Sequence, residues 1–144
     1  MRRQVIKGVL ITAFLCLMMG SASADQLRII GNRSVPVATL DAGTIKKIYL
    51  GKMKVWDNGM KVEFVRLSEG PVTKTFLKTY VKKNLSSFKR YWKKNVFTGG
   101  GSAPVVFEKE RDLVAYIERT KGAIGYVSSK AQTDQVKILL ETPL

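Results

Sequence analysis

Histidine is absent from this 144-residue chain and cysteine occurs once, as Cys16. Without His, and with no second Cys, imidazole acid–base catalysis, the usual zinc sites and an intrachain disulfide are excluded. Cys16 lies in the N-terminal apolar run and follows Leu15 rather than the small residue that precedes a lipid-anchoring cysteine. Acidic residues are scarce as well, 11 Asp and Glu against 25 Lys and Arg, for a formal charge of +14. Asp41, Asp57, Glu63, Glu69 and Asp112 fall in no motif that pairs them, so the chain reads as a binding protein and not an enzyme. Long apolar runs are lacking too: after Val9 to Met19 no stretch approaches the roughly 20 apolar residues of a membrane span.

The N-terminus has the three parts of an export signal: Arg2, Arg3 and Lys7, then the apolar run, then Ala22-Ser23-Ala24 before Asp25. Cleavage after Ala24 is expected, making residues 1–24 a signal peptide and 25–144 one domain held by an ordinary hydrophobic core. Loss of the three signal cations lowers the charge from +14 to +11, because every acid lies beyond the signal. Such a field steers anions toward the protein but does not specify a fold. The basic residues crowd between Lys74 and Lys94, where a solvated helical face is the plain reading and an acidic partner the alternative. With an export signal in front, no nucleic-acid partner is expected.

Strands alternate with helices along the chain. Leu27 to Gly31 reads as a strand left through the Asn32-Arg33-Ser34-Val35-Pro36 loop. Asp41 caps a helix carrying Ile45, Ile48 and Tyr49, which Gly51 ends; Trp56 and the Asn58-Gly59 turn follow. Trp56 is read as packing rather than as a stacking platform. A strand over Lys61 to Arg66 then runs into a helix with Val72, Phe76, Leu77, Tyr80 and Val81 on one face. Asn84 or Ser86 caps a second helix striped by Leu85, Phe88, Trp92 and Val96, and Gly99-Gly100-Gly101 breaks it. That glycine loop lacks the Gly-Lys-Ser/Thr ending of a nucleotide loop, and no cofactor is expected. Val106 to Thr120 reads as one helix with Val106, Leu113, Val114 and Ile117 inward, followed by strands at Ala123 to Val127 and Val136 to Leu140. The order predicts an α/β fold, a layered and largely parallel sheet flanked by helices.

The junction between the middle strand and its helix, Leu67 to Thr75, carries the clearest chemistry. A proline near the first helical position leaves amide N–H groups facing outward, where an anion is held, and Arg66 at the strand's end supplies a clamp. Ser68, Gly70, Thr73 and Thr75 are the donors in this loop, with Ser34 and the Gly99 to Gly101 loop as outer candidates. The plain alternative is a capped strand-to-helix turn beside a solvated arginine.

Leu40-Asp41, Ile45, Ile48-Tyr49-Leu50-Gly51-Lys52 and Trp56, then Val65-Arg66 and Phe76, then Gly122-Ala123-Ile124-Gly125-Tyr126-Val127 resemble the phosphate-binding receptor proteins of bacterial ABC transporters. The resemblance is to their second lobe and spans nearly all of residues 25–144. It implies a type II periplasmic-binding-protein fold, a periplasmic location, a phosphate-like small oxyanion as ligand and an ABC permease as partner. Arg66 falls at the family's arginine after the strand and Phe76 at its helix phenylalanine. Between them the family has Asp-Gly-Ser-Gly-Thr, whereas this chain has a segment longer by two residues in which Pro71 lacks an N–H and Val72 a hydroxyl. Those receptors close two lobes on their ligand, so a single lobe implies a second copy or another protein completing the cleft. The alternative is a non-transport interaction protein that uses its basic surface on a former receptor lobe.

Overall fold

The computed structural model describes residues 25–144; the expected signal peptide lies outside the described residues. Five strands, β1 (Gln26–Gly31), β2 (Glu63–Leu67), β3 (Val105–Phe107), β4 (Ala123–Ser128) and β5 (Lys137–Pro143), form one sheet in the order β3-β2-β4-β1-β5. Four α-helices cover it: α1 (Ala42–Tyr49), α2 (Pro71–Phe76), α3 (Leu85–Phe97) and α4 (Glu110–Arg119). A π-helical turn over Leu77–Val81 extends α2 and ends at Lys82 with φ +61°.

The expected α/β layering is present, but the sheet is mixed. β3, β2 and β4 are mutually parallel, each joined to the next through helices, while β1 runs antiparallel to both β4 and β5. Strand direction is set by which strand lies between which, and the alternation of apolar residues along a strand does not encode it.

Local signals fix most boundaries. Asp41 accepts the Thr44 N–H at 2.7 Å to start α1, which holds its carboxyl below the usual carboxylate range. Asn84, not Ser86, caps α3 by accepting the Ser87 N–H at 2.8 Å. Gly51 ends α1 at φ +71°, and a Cβ there would come within 2.7 Å of the Trp92 ring, so only glycine lets α3 seat against this corner. Trp92 is fixed there by its indole N–H, which donates to Tyr49 O at 2.9 Å. Trp56 is buried, its indole N–H on Gly122 O at 3.0 Å.

The helix expected over Val106 to Thr120 divides. Val105–Phe107 is the edge strand β3, paired in parallel with Val65–Leu67, and helix α4 begins only at Glu110. A β-branched pair followed by an aromatic favours extended backbone, and Val106 matched the helical spacing only because it stands two turns from Leu113. Val106 is 45% exposed and Val96, expected in the α3 stripe, 47%.

The core lies on both faces. Leu113 and Ile117 of α4 close on one side of β4, where a Cβ on Gly125 would come within 2.7 Å of Ile117 and 3.0 Å of Leu113 and Val65. On the other side Phe76 stacks on Tyr126 at 3.9 Å and 10°, with the Tyr49 ring 4.7 Å from Phe76. This aromatic cluster seats α2 against the carboxyl ends of β2 and β4.

Candidate functional site

The carboxyl ends of parallel strands are where open α/β sheets bind ligands, and β2 delivers Arg66 there. Because successive side chains alternate, Val65 joins the α4 face while Arg66 shares the opposite face with Tyr126. Arg66 is 8% exposed and its Nη1 donates to Leu67 O at 2.9 Å. Among the described residues no carboxylate comes within 4.0 Å of its guanidinium. A nearly buried cation without a counter-ion is costly, and it creates a demand for an anion.

Leu67 O is a shared acceptor. It takes bonds from Arg66, from Thr73 Oγ1 at 3.3 Å and from the Tyr126 hydroxyl at 3.5 Å. Thr73 Oγ1 and the Tyr126 oxygen are themselves 2.8 Å apart, and Leu67 N–H donates to the Tyr126 oxygen at 3.2 Å. Burial pushes the Tyr126 phenol up to about 12, offset in part by its bonds to Thr73 and Leu67 and by the Arg66 charge.

Two hollows open from Arg66. One, of about 340 Å³, is lined by Arg66, Ser68, Glu69, Lys89, Val106 and Glu108. The other, of about 350 Å³, runs between α3 and β3 past Phe88, Trp92, Val96, Pro104 and Val106. They adjoin at Arg66, Lys89 and Val106. Lys89 Nζ also reaches Glu69 Oε1 at 3.3 Å.

Of the residues expected from sequence, the fold places Arg66 and Ser68 in one hollow and Gly70 at the N-cap of α2. There φ is +147° and a Cβ would meet nothing within 4 Å. Thr73 comes to the same strand end, but its hydroxyl is buried and occupied by Leu67 and Tyr126, so it braces the turn from within. Thr75 faces another hollow, with Pro71, Val72, Ser128 and Lys130. Ser34 is displaced furthest. It follows β1, which ends beside the start of β4, so it lies at the sheet edge opposite Leu67, and its hydroxyl accepts the Gly122 N–H at 3.0 Å. Ser34 was an outer candidate as a hydroxyl in a loop after a strand, and the antiparallel course of β1 separates that loop from Arg66. Of the Gly99 to Gly101 loop, Gly100 and Gly101 border a different hollow, with Met53, Phe64 and Trp92.

Lys89, Lys93, Glu69 and Glu108 were not among the expected site residues. The lysines belong to the basic run noted in the sequence; what the run could not show is that α3 lies back over β2 and sets Lys89 beside Arg66. Among the described residues no group of three or more His, Cys, Asp or Glu could hold a metal ion, and no helix is long and apolar enough to cross a membrane.

A family model described as PBP superfamily domain matches residues 22–139. The fold is similar to that of a Clostridium perfringens protein described as a phosphate ABC transporter substrate-binding protein, solved with bound phosphate. The match has 19% identity and a TM-score of 0.64, over 81% of this chain and 45% of that one. It is also similar to an ABC-type phosphate transport receptor from Vibrio cholerae, with 16% identity, a TM-score of 0.60 and coverage of 81% and 46%. A third likeness is to PstS from Borrelia burgdorferi, with 14% identity, a TM-score of 0.61 and coverage of 81% and 47%. The chain thus spans less than half the length of these solved proteins, matching one lobe of the fold.

Proposed function

The chain belongs to the PBP superfamily domain family, and from that membership we propose that it binds phosphate or a similar small oxyanion at Arg66, in connection with an ABC transporter. The observation that carries this reading is Arg66, nearly buried at the carboxyl end of β2 with no carboxylate within 4.0 Å of its guanidinium among the described residues. An oxyanion seated there would supply the missing counter-ion through charge-assisted bonds from Arg66, with the Ser68 hydroxyl and Lys89 alongside. The bound phosphate of the Clostridium perfringens relative supports the choice of ligand class. In this reading residues 1–24 direct export to the periplasm, residues 25–144 are the single binding domain, and no chemistry is performed on the ligand. A second copy or another protein would complete the cleft, since one wall leaves the anion open to water.

The test is a thermal-shift titration of the purified protein with phosphate and sulfate. A saturable rise in Tm is expected, equivalent to about 2.7 kcal/mol at a hundredfold excess over Kd. Arg66→Ala should remove the shift while far-UV circular dichroism stays unchanged. No shift at millimolar anion overturns the reading. The exposed Lys82, Lys93 and Lys94 favour a second reading, docking of the basic face on an acidic partner, in which binding would fall steeply with salt and be indifferent to Arg66.

A further inference from the structure

We infer that the ligand of this site is an anion carrying an apolar substituent, such as an alkyl or aryl phosphonate or phosphate monoester, rather than a bare inorganic oxyanion. The inference rests on the anion reading of Arg66 and specifies what else the site holds. A tetrahedral oxyanion satisfies the guanidinium from the hollow shared with Ser68 and Lys89, and that alone uses only the polar half of the space. The adjoining hollow of about 350 Å³ has the buried Phe88, Trp92 and Pro104 beneath it, the half-exposed Val96 and Val106 and the exposed Ala103 offering apolar surface, and Lys89 and Lys93 at its border. Arg66, Lys89 and Val106 border both halves, so a substituent on the anion passes from the charged end into the apolar one. Each half alone is near the lower limit for a small-molecule site, about 300 Å³, and only a ligand spanning both has the apolar body and few fixed polar contacts of such sites.

Charge points the same way. Glu69 and Glu108 stand in the polar hollow and repel every anion, so the charged group alone is held less firmly than three nearby cations suggest. Burial of an apolar group against Val96, Ala103 and Val106 offsets that repulsion without adding charge.

The experiment compares inorganic phosphate, methylphosphonate and phenylphosphonate by calorimetric titration of the purified protein at fixed ionic strength. The two phosphonates share a head group and differ in the apolar part. Phenylphosphonate is expected to bind at least about tenfold tighter than methylphosphonate, the gain anticipated from burying one ring. Val96→Asn, an uncharged change at a half-exposed position that borders only the apolar hollow, should erase most of that gain and leave methylphosphonate within about twofold of its original affinity. Equal affinity for the two phosphonates, with phosphate bound as well, overturns the inference and leaves the anion reading standing. No binding of any of the three overturns both. A gain that persists in Val96→Asn overturns the placement in the α3–β3 hollow, as does a protein that elutes as a dimer until Val106→Asp splits it, since a second copy then covers the apolar half.

Discussion

Thr73 Oγ1 and the Tyr126 hydroxyl lie 2.8 Å apart, and the pair closes over Leu67 O where β2 turns into α2. The phenol is kept neutral by burial, with its ionisation raised from 10.0 to about 12. Tyr49, whose hydroxyl donates to Val65 O at 2.7 Å, is raised in the same direction by burial. Below about pH 10 both phenols are protonated in the folded and unfolded states alike. Between about 10 and 12 the unfolded chain releases protons that the folded chain keeps, so stability falls as pH rises through this window. For Tyr126 the loss is on the order of 3 kcal/mol across the window. Tyr126→Phe should cost about 1–2 kcal/mol at pH 7 through its lost hydrogen bonds, and flatten the alkaline decline. Urea melts at pH 7, 10 and 11.5 check this; an alkaline slope equal to wild type would assign the decline to other groups.

Ser34 separates a structural hydroxyl from a binding one. Its oxygen accepts the Gly122 N–H where β4 begins, at the sheet edge away from Arg66. Ser34→Ala should therefore destabilise the protein by about 1 kcal/mol, with the Gly122 amide losing its partner, and leave anion affinity within twofold. Denaturant melts and an anion titration on the same variant decide it. Weakened affinity at full stability would place Ser34 in the site after all.

Residue chemistry made the parts visible and left their arrangement hidden. Asp41, Asn84, Gly51 and the Asn58-Gly59 pair announced caps and turns because each acts within a few residues of itself. Arg66 was legible for the same reason: a charged residue ending an apolar strand is conspicuous wherever the chain goes next. Where Ser34, Thr73 and Thr75 come to lie was not legible, because a hydroxyl in a loop looks identical whether it faces solvent, a neighbouring strand or a ligand. Only the antiparallel course of β1 and the seating of Phe76 on Tyr126 decide which. Val106 belongs to the same class of error, since a β-branched residue two turns from a helical leucine satisfies both periods.

Glu69 holds Lys89 at 3.3 Å in the hollow beside Arg66, so an arriving anion competes with a carboxylate for the same lysine. Both side chains are at least half exposed, and the pair itself contributes little to stability. Glu69→Gln should leave Tm nearly unchanged and tighten oxyanion binding about fivefold at low salt, the gain shrinking toward 1 M salt as screening sets in. Titration at two ionic strengths tests this. Unchanged affinity at low salt would mean that Lys89 does not reach the ligand.

The strongest demand falls on Arg66. An arginine that is 8% exposed, with no carboxylate within 4.0 Å of its guanidinium among the described residues, should burden the empty protein, while Leu67 O keeps Thr73 and Tyr126 as donors if it is removed. Arg66→Met, similar in reach and apolar, is thus expected to leave the unliganded protein as stable as wild type or more so, by up to about 2 kcal/mol, and to abolish the phosphate-dependent rise in Tm. Stability and ligand response then move in opposite directions at one position, the pattern of a residue retained for its ligand. Urea melts of both proteins without phosphate, and thermal melts with phosphate stepped tenfold, measure the two effects. If Arg66→Met loses more than about 2 kcal/mol in the absence of anion, the bond to Leu67 O is the reason the arginine is there, and its guanidinium is a structural brace with no claim on a ligand.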